Sequence, residues 1–361
     1  MATTDTKSQQ VDEAASEAFV GKVFGDTVGA AVVGLATIGD RLGLFRELAA
    51  GGPATSEELA RRANINERYA REWLAAMASA GYLRWDPVGG RFVLPAAHIP
   101  ALVQEGGPHF LAGVQQELMG CFAVIDQLTD AFQTGGGVSL ASYPDSMFSG
   151  IDRFTAGWFE NLLLQQWLPA VPGVLQKLEN GCRMADVGTG HGRALIRLAN
   201  AFPKSEFVGY DAHGPSVDRA AASVRDARVE RNAIVRHLDV VAGLPEQYDV
   251  VTTFDVIHDA VDPVGLLRSI RQGLKADGSY LCLEINEANA LGTEPNPIGA
   301  LLYGFSVLLC MTTSLAEGGA GLGTLGVGEK QLREMAAEAG FGSVQIVPLE
   351  NPFNTLYELR P

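Results

Sequence analysis

Short apolar segments alternate with amphipathic segments along the second half of the chain, from residue 182 onward. Strands are predicted at residues 183–187, 206–210, 233–238, 249–254 and 280–284, with helices at 194–201, 216–227, 263–274 and 329–339. Such alternation is typical of a parallel sheet covered by helices on both faces. Two last strands, at 344–348 and 355–359, are too close together for a crossover helix, so we predict that they pair antiparallel.

The N-terminal part of the chain is predicted to be mostly helical. Apolar residues recur every three or four positions from Val20 to Phe45, which indicates an amphipathic helical stripe. Gly21, Gly25 and Gly29 are spaced by four on another face and would let a second backbone approach closely. That backbone could belong to the same subunit or to the partner in a dimer.

Residues 53–100 predict two helices followed by a hairpin, the order of a winged helix. Thr55 and Glu58 form a capping box for the first helix. The second helix is predicted at 67–80, and the two strands at 82–85 and 91–94. This segment has six basic and five acidic residues, whereas a DNA-reading winged helix needs a basic recognition helix and wing. We therefore predict a structural or dimerising domain and no nucleic-acid binding.

We divide the 361 residues into four segments. They are a disordered tail at 1–15, a helical winged-helix dimerisation domain at 16–100, a helical linker and substrate cap at 101–180, and a Rossmann-like α/β domain at 181–361 with an inserted lid at 291–326.

The net charge and the cysteine content limit which binding partners and which cellular compartment we expect for this chain. The net charge of −15 disfavours phosphate backbones and anionic membranes. The four cysteines are far apart and form no C-x-x-C, so we expect no metal site and a reducing, cytoplasmic location. Residues 298–316 are uncharged and long enough to span a membrane, but they fall inside the α/β domain. We therefore predict a lid helix there and no membrane insertion.

The segment MADVGTGHG, residues 184–192, ends a predicted strand and precedes a predicted helix. Its glycines permit a tight turn and let the backbone pass close to a ligand. Asp211 follows Gly192 by nineteen residues, at the end of the next strand, where a carboxylate can accept both ribose hydroxyls of an adenosine. Asp239 follows the third strand and is placed to meet an adenine amino group.

A dinucleotide and a phosphate-free nucleoside both suit a loop of this kind. A dinucleotide fits less well because Arg193 stands where a third glycine is expected, and Asp186 adds an acid to the strand end. In addition, no lysine adjoins the loop to neutralise a diphosphate. We therefore predict an adenosine cofactor without phosphates, such as S-adenosylmethionine, whose sulfur is cationic.

Residues 183–361 resemble the class I S-adenosylmethionine-dependent methyltransferases in the DVGTGHG loop, in Asp211 and Asp239, and in the terminal antiparallel pair. The winged helix and helical linker are similar to those of plant-type and bacterial small-molecule O-methyltransferases, where they serve dimerisation and close the substrate pocket. The resemblance implies a seven-stranded Rossmann-like methyltransferase sheet, S-adenosylmethionine as cofactor, and a homodimer.

The resemblance also implies roles for residues around the cofactor. Gly188 and Gly190 border its methionine part, and Asp211 holds its ribose. Asp239 and Val240 meet its adenine. The full set of predicted cofactor contacts is Asp186, Gly188, Thr189, Gly190, Asp211, Ala212, His213, Asp239, Val240, Phe254 and Asp255.

The segment FDVIHDAVDP, residues 254–263, resembles the His-Asp segment that supplies the catalytic base in plant-type O-methyltransferases. By this resemblance His258 is the candidate base and Glu284 is one of two acids that flank it. The alternative for His258 is a structural, hydrogen-bonded histidine. The second acid of the family falls just before the C-terminal helix, and here residues 318–328 contain no acid.

The predicted function is methyl transfer from S-adenosylmethionine to a small hydrophobic acceptor, preferably at oxygen. The apolar lid helix and the aromatic residues of the linker would enclose such an acceptor. The alternatives are a winged-helix regulator or cofactor-binding protein without transferase activity, and an NAD-dependent oxidoreductase.

Overall fold

The computed structural model describes residues 12–361. The chain divides into two compact units, Met1–Val103 and Gln104–Pro361. The segment predicted as a helical linker therefore falls almost wholly within the second unit, together with the α/β domain.

The first helix begins earlier than predicted. It starts at Glu13 and so includes the last three residues of the predicted tail. Asp12 caps it by accepting a hydrogen bond from the amide of Ala15 at 3.1 Å. Residues 1–11 of the predicted tail lie outside the described part of the chain.

The N-terminal unit is helical apart from one hairpin. Its main elements are α1 (Glu13–Arg41), α2 (Leu44–Gly51), α3 (Ser56–Ala63), α4 (Glu67–Ser79), β1 (Arg84–Asp86), β2 (Arg91–Val93) and α5 (Ile99–Leu102). The apolar stripe from Val20 to Phe45 is shared between α1 and α2, because Gly43 adopts a positive φ of 71° between them. The predicted capping box of Thr55 and Glu58 is present at the start of α3.

The C-terminal unit begins with helices and continues as alternating strands and helices. The first part contains α6 (Ala112–Phe122), α7 (Ile125–Thr134), α8 (Asp145–Trp158), a π-helical segment (Phe159–Trp167) and α9 (Pro172–Asn180). The second part contains β3 (Arg183–Val187), α10 (Arg193–Ala201), β4 (Glu206–Asp211), α11 (Gly214–Asp226), β5 (Ala233–His237), β6 (Tyr248–Phe254), α12 (Pro263–Gly273), β7 (Leu274–Ile285), α13 (Pro297–Phe305), a second π-helical segment (Ser306–Cys310), α14 (Met311–Ala316), α15 (Glu329–Ala339), β8 (Ser343–Val347) and β9 (Asn354–Arg360).

Seven strands form one sheet in the order β5-β4-β3-β6-β7-β9-β8. The first five strands in this order run parallel to one another. Strand β9 is antiparallel to both of its neighbours, β7 and β8. The predicted fold class and the antiparallel terminal pair are therefore confirmed. The carboxyl ends of β3, β4, β6 and β7 meet at one edge, where open α/β sheets bind ligands.

The fifth strand of the sheet along the chain is longer than predicted. The helix predicted at 263–274 and the strand predicted at 280–284 leave Asp277-Gly278 between them, and an Asp-Gly pair is typical of a turn. Instead, β7 begins at Leu274, and its register with β6 shifts between Tyr248 and Val250. The extra residues are absorbed as an irregularity in the strand pairing, so the local turn signal does not end the strand.

The predicted lid contains one helical run, formed by α13, the second π-helical segment and α14. This run and α1 are each long and apolar enough to cross a membrane by length and composition alone. In the lid run, 44% of the most apolar window is buried, whereas none of the corresponding window in α1 is buried.

Candidate active site

The glycine-rich loop joins the end of β3 to the start of α10. Gly188, Gly190 and Gly192 have positive φ angles of 73°, 55° and 82°, a region that favours glycine. A Cβ atom at Gly188 would lie 2.5 Å from the side chain of Val256, whereas one at Gly190 would meet no described atom within 4 Å. The loop is therefore packed against protein at Gly188 and leaves room for a ligand beside Gly190.

Asp211 ends β4 and faces this loop. One carboxylate oxygen accepts a hydrogen bond from the amide of Gly190 and the other from the amide of His213, both at 2.8 Å. Burial raises the pKa of Asp211, although these two backbone donors oppose the rise. A carboxylate has about four acceptor positions, so Asp211 can still accept ribose hydroxyls.

Asp186 is enclosed within the sheet, with 2% of its surface exposed. Its two oxygens accept hydrogen bonds from the hydroxyls of Thr189 and Thr252, each at 2.8 Å. Burial raises the pKa of Asp186 to about 6 against the effect of these bonds. Asp186 therefore fixes the loop through Thr189, and direct contact of either residue with a cofactor stays a prediction.

Two more predicted contacts follow Asp211. The ring of His213 stacks on Phe148 of α8, with centroids 4.4 Å apart, and its Nδ1 hydrogen-bonds the hydroxyl of Ser216 at 2.8 Å. The carbonyl of Ala212 accepts a hydrogen bond from Nε2 of His237 at 2.9 Å. These bonds fix the backbone at the end of β4.

Asp239 and Val240 lie just beyond β5. Asp239 is exposed and caps a short 3-10 turn by accepting a hydrogen bond from the amide of Val241 at 3.0 Å. Val240 is buried. Their contact with an adenine stays a prediction.

The end of β6 carries Phe254 and Asp255. Phe254 stacks with Trp167 at a centroid distance of 5.8 Å. Asp255 has a φ of 55°, which is uncommon for a residue other than glycine, and accepts hydrogen bonds from the amide group of Asn354 at 2.9 and 3.1 Å. Burial and the nearby charge of Glu284 raise the pKa of Asp255 to about 8.

His258 and Glu284 form a buried pair at the same edge of the sheet. Nδ1 of His258 lies 2.6 Å from Oε2 of Glu284. The other carboxylate oxygen of Glu284 accepts hydrogen bonds from the amides of Ile257 and Val256 at 2.7 and 3.2 Å. A carboxylate can only accept, so with Glu284 ionised the hydrogen of this bond lies on Nδ1 of His258. The structure thus brings together the two residues predicted to be catalytic.

The opposite nitrogen of the ring faces two further groups. Nε2 of His258 lies 3.3 Å from Oδ1 of Asp259, whose side chain is 44% exposed. The Sγ of Cys310 lies within 4.8 Å of a ring nitrogen of His258 and is buried at the end of the second π-helical segment. Burial alone would lower the pKa of His258, but the charges of Asp259 and Glu284 outweigh it and raise that pKa well above its usual value.

Metal-binding groups also occur around His258. Its ligand atoms lie within 4.8 Å of those of Asp259 and Cys310 on one side, and of Asp255 and Glu284 on the other. In the second set Nδ1 is already engaged by Glu284, and in the first set burial raises the pKa of the Cys310 thiol to about 12, which disfavours the thiolate that binds metals. We therefore assign neither set to a metal.

Cys310 and Asn354 are site residues that the sequence did not reveal. Cys310 was assigned only to an apolar lid helix, and Asn354 only to the turn before the last strand. The residues are separated from their partners by 52 and 99 positions, so no local pattern joins them. Among the described residues, no ion pair or hydrogen bond joins His258 to an acid in the segment before α15, where the family's second acid was expected.

In a comparison with known proteins, each of the two parts of the chain matches a family model. Residues 30–104 match the family described as Rv2258c-like winged HTH domain, and residues 185–280 match the family described as methyltransferase domain. A ubiquinone biosynthesis O-methyltransferase of Ruegeria sp. (strain TM1040) is 27% identical over 129 residues, which are 36% of this chain and 49% of that protein. The chain thus spans about half the length of this curated relative.

Solved structures resemble nearly the whole chain. The mitomycin 7-O-methyltransferase MmcR has a TM-score of 0.69 and 18% identity, over 97% of this chain and all of that one. PigF with S-adenosylhomocysteine has a TM-score of 0.68 and 19% identity, over 94% of this chain and 99% of that one. At these identities the likeness concerns the fold.

Together, the fold and the two family matches define a methyltransferase domain preceded by a winged helix-turn-helix domain. MmcR and PigF share the fold of this chain over nearly their whole length.

Proposed function

We propose that the chain transfers a methyl group from S-adenosylmethionine to a small, hydrophobic acceptor, at oxygen, with His258 as the base. The observation that carries the proposal is the buried His258–Glu284 pair, which lies at the same sheet edge as the glycine-rich loop and Asp211. The partial match to the ubiquinone O-methyltransferase and the fold shared with MmcR and PigF support it.

The loop fits a cationic nucleoside cofactor better than a dinucleotide. Gly190 leaves open space beside it, and Asp211 places a carboxylate within reach of a ribose. Arg193, the cation that follows the loop, is bound by both oxygens of Asp152 at 3.0 and 2.5 Å, so it is not free to neutralise a diphosphate. S-adenosylmethionine, when bound, supplies an electrophilic methyl group.

The base acts through the nitrogen that Glu284 leaves available. Glu284 fixes the ring by holding Nδ1–H, so Nε2 is the atom that can take the proton of an acceptor hydroxyl. The imidazolium that forms is stabilised by the charges of Glu284 and Asp259. Enclosure of His258 excludes water from this proton transfer, because only 3% of its surface is exposed.

The proposal is tested by replacing the base and measuring cofactor binding and methyl transfer separately. In His258→Ala, labelled methyl transfer into a panel of phenols should fall by ~10²–10⁴-fold, as expected for loss of a general base. Calorimetry should show that wild type and variant bind S-adenosylhomocysteine alike and that neither binds NAD with comparable affinity.

His109→Ala is the matched control, because this histidine is exposed and lies outside both the His258–Glu284 pair and the cofactor loops. Equal turnover in wild type and His258→Ala would show that His258 is not the base and would favour a structural role for it. Tight NAD binding without S-adenosylhomocysteine binding would instead favour an oxidoreductase. Binding of S-adenosylhomocysteine without transfer to any acceptor would favour a cofactor-binding protein.

The proposal includes a cytoplasmic homodimer that binds neither nucleic acid nor membrane. An exposed apolar face on α1 supports the dimer, since Phe19 and Phe24 are 65% and 69% exposed.

A further inference from the structure

Glu117 is a buried carboxylic acid that the proposed base chemistry does not use. It lies on α6, and 7% of its surface is exposed. Its neighbour Gln116 is equally buried but is fully engaged: it donates to the carbonyl of Ser146 at 2.7 Å and accepts from Arg153 at 2.6 Å. Within residues 12–361, the carboxylate of Glu117 makes no hydrogen bond or ion pair. Such unpaired buried groups are rare because they lose hydration without replacing it.

The backbone around Glu117 is held rigidly by close helix packing. A Cβ atom at Gly150 of α8 would lie 2.5 Å from the backbone nitrogen of Glu117 and 2.9 Å from its Cβ. A Cβ atom at Gly120, one turn further along α6, would lie 2.5 Å from the Cβ of Met147. These glycines let α6 and α8 approach closely, so Glu117 cannot move away to find a partner elsewhere.

Glu117 lies one turn before Cys121 on α6, and Cys121 packs in one buried cluster with Cys310 of the lid. The Sγ of Cys310 lies within 4.8 Å of a ring nitrogen of His258, so Glu117 lies near the His258 side of the site. Burial, and next the charge of Asp259, raise the pKa of Glu117 to about 8. Asp259 is also the acid 3.3 Å from Nε2 of His258. The carboxyl oxygens of Glu117 are not completely enclosed. The small exposed part of this residue therefore includes its carboxyl group.

We infer that Glu117 is a specificity-determining residue that binds a second polar hydrogen, on a hydroxyl or amino group of the methyl acceptor. This inference rests on the proposed function. A site with an unpaired buried acid rejects an analogue that lacks the matching donor, since that analogue leaves the acid unpaired. The acceptor class is therefore a dihydroxylated or amino-hydroxylated aromatic molecule.

The test compares acceptors that differ only in the second hydroxyl. Phenol, catechol, resorcinol and hydroquinone are titrated calorimetrically into wild type, Glu117→Gln and Glu117→Met, with and without S-adenosylhomocysteine. At least one dihydroxybenzene should bind wild type ~10-fold tighter than phenol, as one hydrogen bond to a buried acid predicts. Glu117→Met should abolish the preference, and Glu117→Gln should retain part of it because its amide oxygen still accepts.

Thermal unfolding of the same variants separates ligand recognition from a structural role. Replacement of an unpaired buried acid by an apolar side chain of similar size should leave the melting temperature unchanged or raise it. A lower melting temperature in Glu117→Met would show that the acid stabilises the fold, which would contradict the inference. Equal binding of phenol and all three dihydroxybenzenes to wild type would also overturn it.

These outcomes are independent of cofactor binding. In one outcome, S-adenosylhomocysteine fails to bind while the preference for a dihydroxybenzene still depends on Glu117. This result would contradict the proposed methyl transfer and would support the role of Glu117 in recognition. If methyl transfer occurs and no preference is found, the proposed function stands and the role of Glu117 is rejected.

Discussion

One acid lies beside each ring nitrogen of His258, and the charges of these acids influence the pH range in which His258 can accept a proton. Glu284 holds Nδ1, and Asp259 lies near Nε2. Their combined charge outweighs burial and keeps the pKa of His258 well above its ordinary value of about 6.5. These acids therefore favour the protonated imidazole, and only its neutral form can accept a proton.

Methyl transfer should accordingly rise with pH as His258 loses its proton. Glu284→Gln removes one negative charge but keeps an oxygen for the amides of Val256 and Ile257, so it should lower the pKa of His258. We expect the midpoint of the pH–rate profile to move to lower pH, the usual effect of losing an adjacent opposite charge. The measurement is the pH dependence of kcat in wild type and variant.

Glu317→Gln is the control, because it removes the same charge from an exposed position. An unchanged midpoint in Glu284→Gln, with the fold intact, would contradict the role of Glu284 in setting the pKa of His258.

At the scale of elements, α8 connects the cofactor loops with the acceptor side of the site. Phe148 stacks on His213 after β4, and Asp152, one turn later, binds Arg193 at the start of α10. Gly150, between them, packs against Glu117 of α6. The same helix therefore positions groups on both sides of the site.

Asp152→Asn should weaken the attachment of α8 to the cofactor loop. It keeps the shape of the side chain and removes the charge that holds the Arg193 guanidinium. Because both side chains are partly exposed, we expect a modest loss in affinity for S-adenosylhomocysteine, roughly fivefold or about 1 kcal/mol. Calorimetry measures this loss.

The matched control for this helix is Asp145→Asn, since Asp145 is an exposed acid in the first turn of α8. Equal affinities of wild type and Asp152→Asn would show that the pair with Arg193 does not support cofactor binding.

At the scale of the whole molecule, α1 presents an apolar surface that the N-terminal unit does not cover. Its large exposed residues are Phe19, Val20, Val23, Phe24 and Val28. Within residues 12–361, no atom lies within 4 Å of a Cβ added at Gly21, Gly25 or Gly29, so these glycines do not pack against that part of the chain. Between the two roles predicted for these glycines, the exposure favours a seam with a second copy.

Phe24→Glu should therefore shift the protein from dimer to monomer, because a charge on a buried apolar interface lacks a partner. Light scattering after size exclusion measures the mass. Val88→Glu is the control, since Val88 is 97% exposed in the hairpin turn. A wild-type monomer, or a dimer that survives Phe24→Glu, would contradict the assignment of this surface.

The sequence by itself determined the features that depend on neighbouring residues. Periodicity predicted the helices and strands of the sheet, and the short final connection predicted its antiparallel pair. The glycine spacing and the acid at the end of the next strand predicted the loop that Asp211 now contacts at Gly190. These signals are local because backbone preference and burial pattern repeat within each element.

Only the tertiary structure decided which distant side chains meet and which remain unpaired. The Asp277-Gly278 turn signal was overruled by pairing of β7 with β6. Cys310 came to His258 from the lid, and Glu117 came to the same side from a helix before the sheet. Burial and pairing depend on packing between elements far apart in sequence, so an unpaired acid such as Glu117 becomes recognisable only when all of its neighbours are known.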